Sequence, residues 1–252
     1  MVFGMKLIDF FTEHPTVAVA FSGGTDSAYL LYAAKRYAAE VHAYFVKSEF
    51  QPQFELDDAR RLAKDLGVPM TVLQPDVLAD EKIAANPPDR CYFCKRRIFE
   101  AILAQTAADG FSVLLDGTNA SDDENDRPGV RALRELSVLS PLRLCGLTKD
   151  EIRRLSREAG LFTWDKPAYA CLATRVPAGE TITDEKLRET EAAENYLFSL
   201  GFTDFRVRRF GGAARIQVSA AQLGKVIELR EQILAELKRY YPAVLLDLEG
   251  RE

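Results

Sequence analysis

Residues 17–27 read Val-Ala-Val-Ala-Phe-Ser-Gly-Gly-Thr-Asp-Ser, an apolar run that leads into two glycines and then into a segment of helical composition. The small and apolar side chains of residues 17–21 predict a strand that is buried on both faces. Residues 28–35, Ala-Tyr-Leu-Leu-Tyr-Ala-Ala-Lys, have the composition and period of a helix that packs on this strand. The predicted order is therefore strand, glycine turn, helix.

The turn in this stretch has the features of an anion-binding loop. Glycines allow the backbone to approach a ligand closely, so the N–H groups of Gly23, Gly24 and Thr25 can face an anion at the positive end of the helix. The hydroxyls of Ser22 and Ser27 lie beside them in sequence. The loop has neither the lysine of GxxxxGK[ST] nor the spacing of GxGxxG. We expect the loop to bind a phosphate or pyrophosphate. The alternative is that it is an ordinary glycine-rich connection that binds no ligand.

The composition is that of a globular protein that acts on a small molecule. The chain has 252 residues, of which 47% are hydrophobic and 28% charged, with a net charge of −5. Nucleic-acid binding usually requires a basic surface, so this charge argues against it. No apolar run approaches the roughly 20 residues that span a bilayer. The N-terminus lacks the features of a signal peptide, and a cytoplasmic location is expected.

Further strands and helices alternate along the first two thirds of the chain. Strands are predicted at 40–46, 70–73 and 112–116, and helices at 54–66, 91–107, 131–136 and 149–159, the last capped by Thr148. This order predicts an α/β fold with a parallel sheet and ligands at the carboxyl ends of its strands. The loop at 22–27 and Asp116-Gly117-Thr118-Asn119 both follow strands, so we expect them to line one crevice.

The pattern changes near Thr183. Helix 185–200, strands 205–210 and 214–218, helix 221–240 and strand 244–248 predict a smaller α+β domain. We place the boundary in the loop after Lys166, which gives a nucleotide-binding domain at residues 1–170 and a substrate or oligomerisation domain at residues 171–252. On the strand Phe205-Arg206-Val207-Arg208, alternation puts the two arginines on one face, where they can grip an anion bidentately or simply face solvent.

Three of the four cysteines have basic neighbours that favour a thiolate. Cys91 and Cys94 form a CxxC motif, and Cys171 lies in a loop flanked by prolines. Cys145 is interpreted as a small buried hydrophobic residue.

The chemistry of these cysteines is left open by the sequence. Structural zinc normally needs four ligands, and the only histidines, His14 and His42, lie in apolar or strand contexts, so zinc is disfavoured. Three thiolates suit either a [4Fe–4S] cluster with one open iron or redox and nucleophilic roles.

Seven motifs together resemble one family. They are SGGTDS (22–27), RCYFCKRRIF (90–99), DGTNASDDENDRPGVRALREL (116–136), SPLRLCGLTKDEIR (140–153), WDKPAYACLATR (164–175), FRVRRF (205–210) and LDLEG (246–250). SGGxDS is similar to the pyrophosphate loop of the ATP pyrophosphatases, or PP-loop enzymes. The full set resembles the LarE family, the ATP-dependent sulfur transferases of nickel-pincer nucleotide biosynthesis, over nearly the whole chain.

The resemblance implies a substrate, a cofactor set and an ATP site. A carboxylate of pyridinium-3,5-biscarboxylic acid mononucleotide would be adenylated by ATP with Mg²⁺ and converted to a thiocarboxylate. The pyrophosphate would be held by Ser22, Gly23, Gly24, Thr25 and Ser27.

Further residues of this site follow from the same resemblance. Asp26 would orient the loop or face the metal, and Asp116 and Asn119 would lie near the adenylate. Asp122 and Arg127 follow in a charged loop.

The resemblance also assigns the sulfur and substrate residues. Cys171 lies at the position of the family's sulfur donor, which either gives up its own sulfur or, together with Cys91 and Cys94, holds a [4Fe–4S] centre. The expected substrate-binding residues are Arg175, Glu194, Arg206 and Arg208. The family also implies a homo-oligomer.

Other interpretations compete with this one. A PP-loop enzyme that thiolates tRNA or another small carboxylate would share SGGxDS and cysteines, although the acidic charge argues against tRNA. An amidotransferase such as NAD synthetase would not need the three cysteines. A regulatory module that only binds adenine nucleotides would release no pyrophosphate with any substrate.

Overall fold

A computed structural model describes residues 6–122 and 128–251. The described residues form two compact units, the first within Met1–Val77 and Asp89–Lys166 and the second within Leu78–Pro88 and Pro167–Glu252. Residues 78–88 precede the CxxC motif in sequence and cluster with the C-terminal part of the chain. The domain ranges expected from the sequence, 1–170 and 171–252, stay a prediction.

The elements are numbered in chain order. The strands are β1 Thr16–Ala20, β2 Glu40–Val46, β3 Met70–Leu73, β4 Leu114–Leu115, β5 Arg206–Phe210, β6 Ala213–Gln217 and β7 Val244–Leu246. The helices are α1 Leu7–Glu13, α2 Thr25–Tyr37, α3 Gln53–Leu66, α4 Glu81–Ala84, α5 Arg90–Ala108, α6 Pro128–Glu135, α7 Pro141–Leu144, α8 Lys149–Glu158, α9 Asp184–Ser199, α10 Leu223–Glu228 and α11 Arg230–Leu237. Short 3₁₀ turns occupy Leu172–Arg175 and Ala220–Gln222.

The first unit contains a parallel sheet with strand order β3-β2-β1-β4, which confirms the predicted α/β class. Alternate residues of β1 enter two different cores. Val17 and Val19 pack with α1, α2, α3, α7 and α8, whereas Ala18 packs with α5 and α6 on the other face. Val17, Ala18 and Val19 are all fully buried, as expected for a parallel strand covered by helices on both faces.

Local signals explain where several elements start and stop. The predicted cap of α8 is confirmed, because the Thr148 hydroxyl accepts from Glu151 N–H and the Glu151 carboxylate accepts from Thr148 N–H. The fourth strand is shorter than the expected 112–116. Val113 O still accepts from Ala18 N–H, but Asp116 N–H donates to Leu139 O instead of to β1.

The second unit contains a mixed sheet with strand order β5-β6-β7, in which β5 and β6 are antiparallel and β6 and β7 are parallel. Val207, Ala214 and Ile216 lie on the face that packs against helices α9, α10 and α11. The expected helix 221–240 is divided at Leu229 into α10 and α11. A separate, smaller α+β unit is therefore present. In the described part of the chain, no helix is both long and apolar enough to cross a membrane.

Candidate active site

The loop of residues 22–27 joins the end of β1 to the start of α2. Gly24 is the extended N-cap residue of α2, and no side chain caps the helix there. The Ser22 and Ser27 hydroxyl oxygens are 3.0 Å apart, and the Ser27 hydroxyl also donates to Gly24 O at 3.2 Å. The Thr25 hydroxyl donates to Thr163 O at 2.8 Å. The loop thus gathers hydroxyls at a helix N-terminus, an arrangement that suits an anion.

Two glycines are required by the packing around this loop. Gly23 has φ +74°, and a Cβ atom there would lie 3.1 Å from Glu55 O on α3. A Cβ atom on Gly117 would lie 2.9 Å from Ser27 N at the start of α2. The structure therefore packs the loop after β4 directly against the loop after β1. Both loops lie at the carboxyl edge of the sheet, where α/β proteins bind ligands.

Asp116 and Asn119, expected near the adenylate, are buried and engaged locally. The Asp116 carboxylate accepts from the Ser140 hydroxyl at 2.5 Å and from the Thr118 hydroxyl. The Asn119 side-chain oxygen accepts from Ser121 N–H at 2.8 Å. Both side chains hold the shape of this loop.

The charged loop that follows is also tied down. Asn119 N–H donates to Asp122 Oδ2 at 3.0 Å. Arg143, which the sequence analysis did not single out, donates to the backbone carbonyls of Asn119 and Asp122. Arg127 lies outside the described residues.

Asp26 differs from Asp116 because only one of its oxygens is engaged. Oδ2 accepts from Lys149 Nζ at 2.7 Å, whereas Oδ1 is buried and has no hydrogen-bond partner among the described residues. A buried carboxylate oxygen without a donor suits a hard cation such as Mg²⁺, which prefers oxygen ligands. Lys149 was missed by the sequence analysis, although it is the first residue of α8 and follows the Thr148 cap.

Lys166 is a second lysine that contacts the loop and that the sequence analysis did not assign. Its Nζ atom donates to Gly23 O at 3.3 Å and to Asp58 Oδ2 on α3 at 2.7 Å. The side chain is largely buried, and its charge is balanced by Asp58. The only sequence signal was the position of Lys166 in the WDKP segment.

The cysteines are divided between the two units and form no disulfide. Cys91 and Cys94 are the second and fifth residues of α5, where residues three apart share a face, and Arg90 Nη2 is 3.7 Å from Cys91 Sγ. Cys171 is the N-cap residue of the 3₁₀ turn in the second unit. Within the described residues of either unit, no three or more His, Cys, Asp or Glu side chains are grouped as a metal site requires.

The expected substrate residues of the second unit surround the segment that carries Cys171. Arg175 and Glu194 form a buried bidentate ion pair, with Nε–Oε1 at 2.8 Å and Nη2–Oε2 at 3.0 Å. Glu194 also accepts from Val207 N–H at 2.9 Å and from the Tyr169 hydroxyl. The guanidiniums of Arg175 and Arg206 both lie over the Tyr169 ring, 4.6 and 5.0 Å from its centroid. Charge, hydrogen bonding and stacking therefore fix one network.

Three guanidiniums of this network hold backbone carbonyls on both sides of Cys171. Arg175 Nη1 donates to Ala170 O at 2.8 Å and to Cys171 O at 3.4 Å. Arg206 Nη2 donates to Ala168 O at 2.6 Å. Arg208 Nη1 donates to Thr174 O, also at 2.6 Å. The sequence pattern predicted the arginines as site residues but not these partners, because every residue has a backbone carbonyl and the side-chain pattern does not show which one is contacted.

This network carries more positive than negative charge. Burial, followed by repulsion from Arg175 and Arg251, lowers the pKa of Arg206 and of Arg208. Burial also acts to lower the pKa of Arg175, but its hydrogen bonds and charge interaction with Glu194 outweigh burial and raise it. Like charges that depress one another's pKa favour an anion beside them. The second unit thus offers an anion-attracting face next to the Cys171 segment.

Known proteins similar to this chain share its first unit or its full length. The family model described as asparagine synthase matches residues 12–123. An uncharacterized protein of Synechocystis sp. is 36% identical, with 97% of this chain and 93% of the relative aligned. The pyridinium-3,5-bisthiocarboxylic acid mononucleotide synthase of Lactiplantibacillus plantarum is 34% identical, over 93% of this chain and 86% of the relative.

A more distant relative matches only part of the chain. The tRNA-specific 2-thiouridylase MnmA of Pseudothermotoga lettingae is 29% identical, over 60% of this chain and 53% of the relative. The near-complete alignment with the mononucleotide synthase carries more weight, because it includes both units. By this alignment the chain belongs to the pyridinium-3,5-bisthiocarboxylic acid mononucleotide synthase family, the LarE family that its motifs resemble.

Proposed function

We propose that this protein is an ATP-dependent sulfur transferase of nickel-pincer nucleotide biosynthesis. It adenylates a carboxylate of pyridinium-3,5-biscarboxylic acid mononucleotide, releases pyrophosphate and converts the carboxylate to a thiocarboxylate. The observation that carries this proposal is the SGGTDS loop at the carboxyl edge of a parallel sheet, in a chain that aligns over 93% of its length with a synthase named for the bisthiocarboxylic product.

The first half of the reaction uses the loop of residues 22–27. The loop N–H groups and the Ser22 and Ser27 hydroxyls hold the pyrophosphate part of ATP, and Asp26 Oδ1 is the proposed ligand of Mg²⁺. A carboxylate oxygen of the substrate attacks the α-phosphorus, and pyrophosphate leaves. The resulting acyl-adenylate carries AMP as a good leaving group, where the free carboxylate had only an oxide.

The second half of the reaction uses Cys171. In the sacrificial form, its thiolate attacks the carbonyl carbon of the acyl-adenylate and AMP leaves. Loss of the Cα proton then breaks the Cβ–S bond, which leaves a thiocarboxylate on the product and dehydroalanine at position 171.

A cluster form is the alternative that we favour. The thiolates of Cys91, Cys94 and Cys171 would hold a [4Fe–4S] cluster, whose open iron supplies the delivered sulfide when the cluster is bound. Three thiolates are the chemical donor set that such a cluster takes, and two of them, Cys91 and Cys94, lie three residues apart on one face at the start of α5 with Arg90 beside Cys91.

Arg175, Glu194, Arg206 and Arg208 are proposed to bind the nucleotide substrate. The excess positive charge of the network supports an anionic ligand. Arg208 donates through Nε to Gln217 and through Nη1 to Thr174 O, and among the described residues Nη2 has no hydrogen-bond partner, so it is the group proposed to contact a ligand. Arg175 and Glu194 form a buried ion pair that holds this site in shape. Arg206 donates to Ala168 O and so positions the segment that carries Cys171.

The expected partners and location are part of the proposal. The substrate is a small nucleotide, and a homo-oligomer is expected from the family. A cytoplasmic location remains the expectation from the sequence.

Thiolation of tRNA is the second candidate, favoured by the partial similarity to a tRNA-specific 2-thiouridylase. The two are separated by incubating anaerobically purified protein with ATP and either pyridinium-3,5-biscarboxylic acid mononucleotide or unmodified tRNA. We expect pyrophosphate and a thiocarboxylate product with the mononucleotide alone. Pyrophosphate release that depends on tRNA and not on the mononucleotide would reject the proposal in favour of tRNA thiolation.

A further inference from the structure

The segment of residues 163–166 is attached to the phosphate loop at two points that the proposed reaction does not use. Thr163 O accepts from the Thr25 hydroxyl at 2.8 Å, and Lys166 Nζ donates to Gly23 O at 3.3 Å. Lys166 N–H donates to Thr163 O at 3.2 Å, so the two attachment points are themselves joined. Residues 163–166, here called the brace, are therefore hydrogen-bonded to both Gly23 and Thr25.

The brace acts on the peptide that joins Gly23 to Gly24. In a trans peptide the C=O and N–H groups point in opposite directions. Gly23 O points towards Lys166, and Gly24 N–H points towards Ser22 Oγ, at 3.4 Å. The Ser22 hydroxyl belongs to the hydroxyl pair with Ser27. Lys166 thus lies on one side of this peptide, and the proposed pyrophosphate groups lie on the other.

This peptide needs a brace because its two residues are glycines. Neither glycine has a Cβ atom to oppose rotation of the peptide plane, and Gly23 already has φ +74°. A rotated peptide would turn a carbonyl oxygen towards the pyrophosphate and remove an N–H donor. A charged donor fixed on the carbonyl side opposes that rotation, because hydrogen bonds to charged groups are stronger than neutral ones.

Lys166 is itself held in place for this task. Asp58 on α3 accepts from Nζ at 2.7 Å, and the ammonium lies 5.4 Å from the Phe54 ring centroid. The same helix contacts Gly23 through Glu55 O. Helix α3 therefore positions both the lysine and the glycine that the lysine contacts.

We propose that Lys166 is a positioning residue for pyrophosphate binding, which holds the Gly23–Gly24 peptide with its N–H group towards the phosphates. This inference rests on the proposed function of the loop and extends it to a residue outside the SGGTDS motif. It predicts that Lys166 affects ligands through their pyrophosphate part and not through the nucleoside.

The test compares Lys166→Met, which keeps the length of the side chain, with Lys166→Arg, which keeps a charged donor. Lys64→Met is the matched control, because Lys64 is an exposed lysine on α3, the helix that carries Asp58. Binding of inorganic pyrophosphate, ATP and AMP is measured by calorimetry with Mg²⁺ present. We expect Lys166→Met to weaken pyrophosphate and ATP binding by about tenfold or more, the loss of one charged hydrogen bond. AMP binding should stay at the wild-type value.

We expect Lys166→Arg to recover most of the pyrophosphate affinity and Lys64→Met to match the wild type. Equal pyrophosphate affinity of Lys166→Met and wild type would overturn the role of Lys166 alone. An equal loss of AMP and pyrophosphate binding, or no recovery with arginine, would also overturn it, because either result indicates general damage. If the wild type itself binds no pyrophosphate, both this inference and the proposed function of the loop are wrong.

Discussion

Asp26 and Asp116, two aspartates at the carboxyl edge of the parallel sheet, differ in their hydrogen-bond partners. Both oxygens of Asp116 accept hydrogen bonds from hydroxyl groups, one from Thr118 in the same loop and one from Ser140 before α7. Asp26 pairs with Lys149 through one oxygen, and its other oxygen is buried without a donor. Of these two aspartates, Asp26 is the one with a carboxylate oxygen that lacks a donor among the described residues, which supports its proposed role as a cation ligand.

The first prediction concerns Ser22 and Asp26. Changing either to Ala should reduce substrate-dependent pyrophosphate release by roughly 100-fold, because each removes a group that faces the pyrophosphate or its metal. The fold should persist, since buried β1 positions the loop. Pyrophosphate release is measured alongside a thermal melt, with Asp150→Ala, at an exposed position of α8, as the control. Pyrophosphate release at the wild-type rate in both variants would show that the loop takes no part in the reaction.

A second prediction concerns Cys145, which the sequence analysis interpreted as a small hydrophobic residue. Its side chain packs against the larger core, and burial, with a contribution from Asp9, raises the pKa of the thiol to about 11. A raised pKa keeps the thiol protonated, so at pH 8 about one molecule in a thousand carries the reactive thiolate.

Iodoacetamide at pH 8 should therefore modify Cys145 slowly in the folded protein and readily after unfolding in guanidinium chloride. Peptide mass spectrometry measures the modified fraction, with exposed Cys91 as the internal reference. Modification of Cys145 as fast as that of Cys91 in the folded protein would contradict the assignment.

Sequence reasoning recovered the residues that a motif displays and missed those that only tertiary structure brings to the site. Ser22 and Ser27 follow from SGGTDS, because their chemistry and spacing are local. Lys149 and Lys166 reach the same loop from 123 and 143 residues away in the chain. A surface lysine and a lysine that braces a loop have the same sequence pattern, so their roles depended on the packing of α8 and α3.

At the level of elements, alternation along β5 puts the core residue and the arginines on opposite faces of the three-stranded sheet. Val207 points into the core with α9, whereas Arg206 and Arg208 pair with Gln217 and Arg215 on the opposite face. The period-two pattern gave this placement. It did not give the 3₁₀ turn at Leu172–Arg175, which lies in the region expected as a loop.

Short elements explain most of the remaining differences from the predicted helices and strands. Helices α4 and α7 each have four residues, too few to show a helical period in the sequence. Strand β4 pairs over two residues only, because the chain turns towards Leu139 at Asp116. Long periodic segments such as β2 and α3 were predicted to within one residue.

A third prediction concerns the arginine face, the side of β5 that carries Arg206 and Arg208. Changing Arg206 or Arg208 to Ala should raise the KM for the mononucleotide more than the KM for ATP, because both guanidiniums lie with the Cys171 segment in the second unit. Arg206→Ala should also lower the melting temperature, since Arg206 is buried and holds Ala168 O. Steady-state kinetics with each substrate varied in turn measures both constants.

The matched control for this prediction is Arg188→Ala on the exposed face of α9, which should leave both constants at their wild-type values. A selective rise in the KM for ATP would place the arginine face against the other ligand and contradict the assignment.

At the level of the whole molecule, the proposed chemistry is divided between two units with separate cores. The first unit supplies the phosphate loop and the pair Cys91 and Cys94, and the second supplies Cys171 and the arginine face. A family match confined to residues 12–123 covers the phosphate loop, Cys91 and Cys94, but not Cys171 or the arginines of β5. The proposed sulfur step needs Cys171 of the second unit as well, so it is tested most directly through the cysteines.

The last prediction separates the two sulfur routes by what each requires of Cys91 and Cys94. If Cys171 gives up its own sulfur, Cys91→Ala should keep a single turnover, because the attacking thiolate is elsewhere in the chain. If three thiolates hold a cluster, removal of any one leaves two, and iron binding should fail in each single variant. We expect the second result, since Cys91 and Cys94 at the start of α5 have no role in the sacrificial route.

The measurement is mass spectrometry of anaerobically reconstituted protein before and after turnover, with iron and sulfide analysis of the wild type and the three single cysteine variants. Cys145→Ala is the control, because a thiol packed against the core should not affect either route. Repeated turnovers with added sulfide and an intact Cys171 would exclude the sacrificial route. A mass lower by one H₂S, with dehydroalanine at position 171, would exclude the cluster route, because a residue that has lost its sulfur no longer ligates iron.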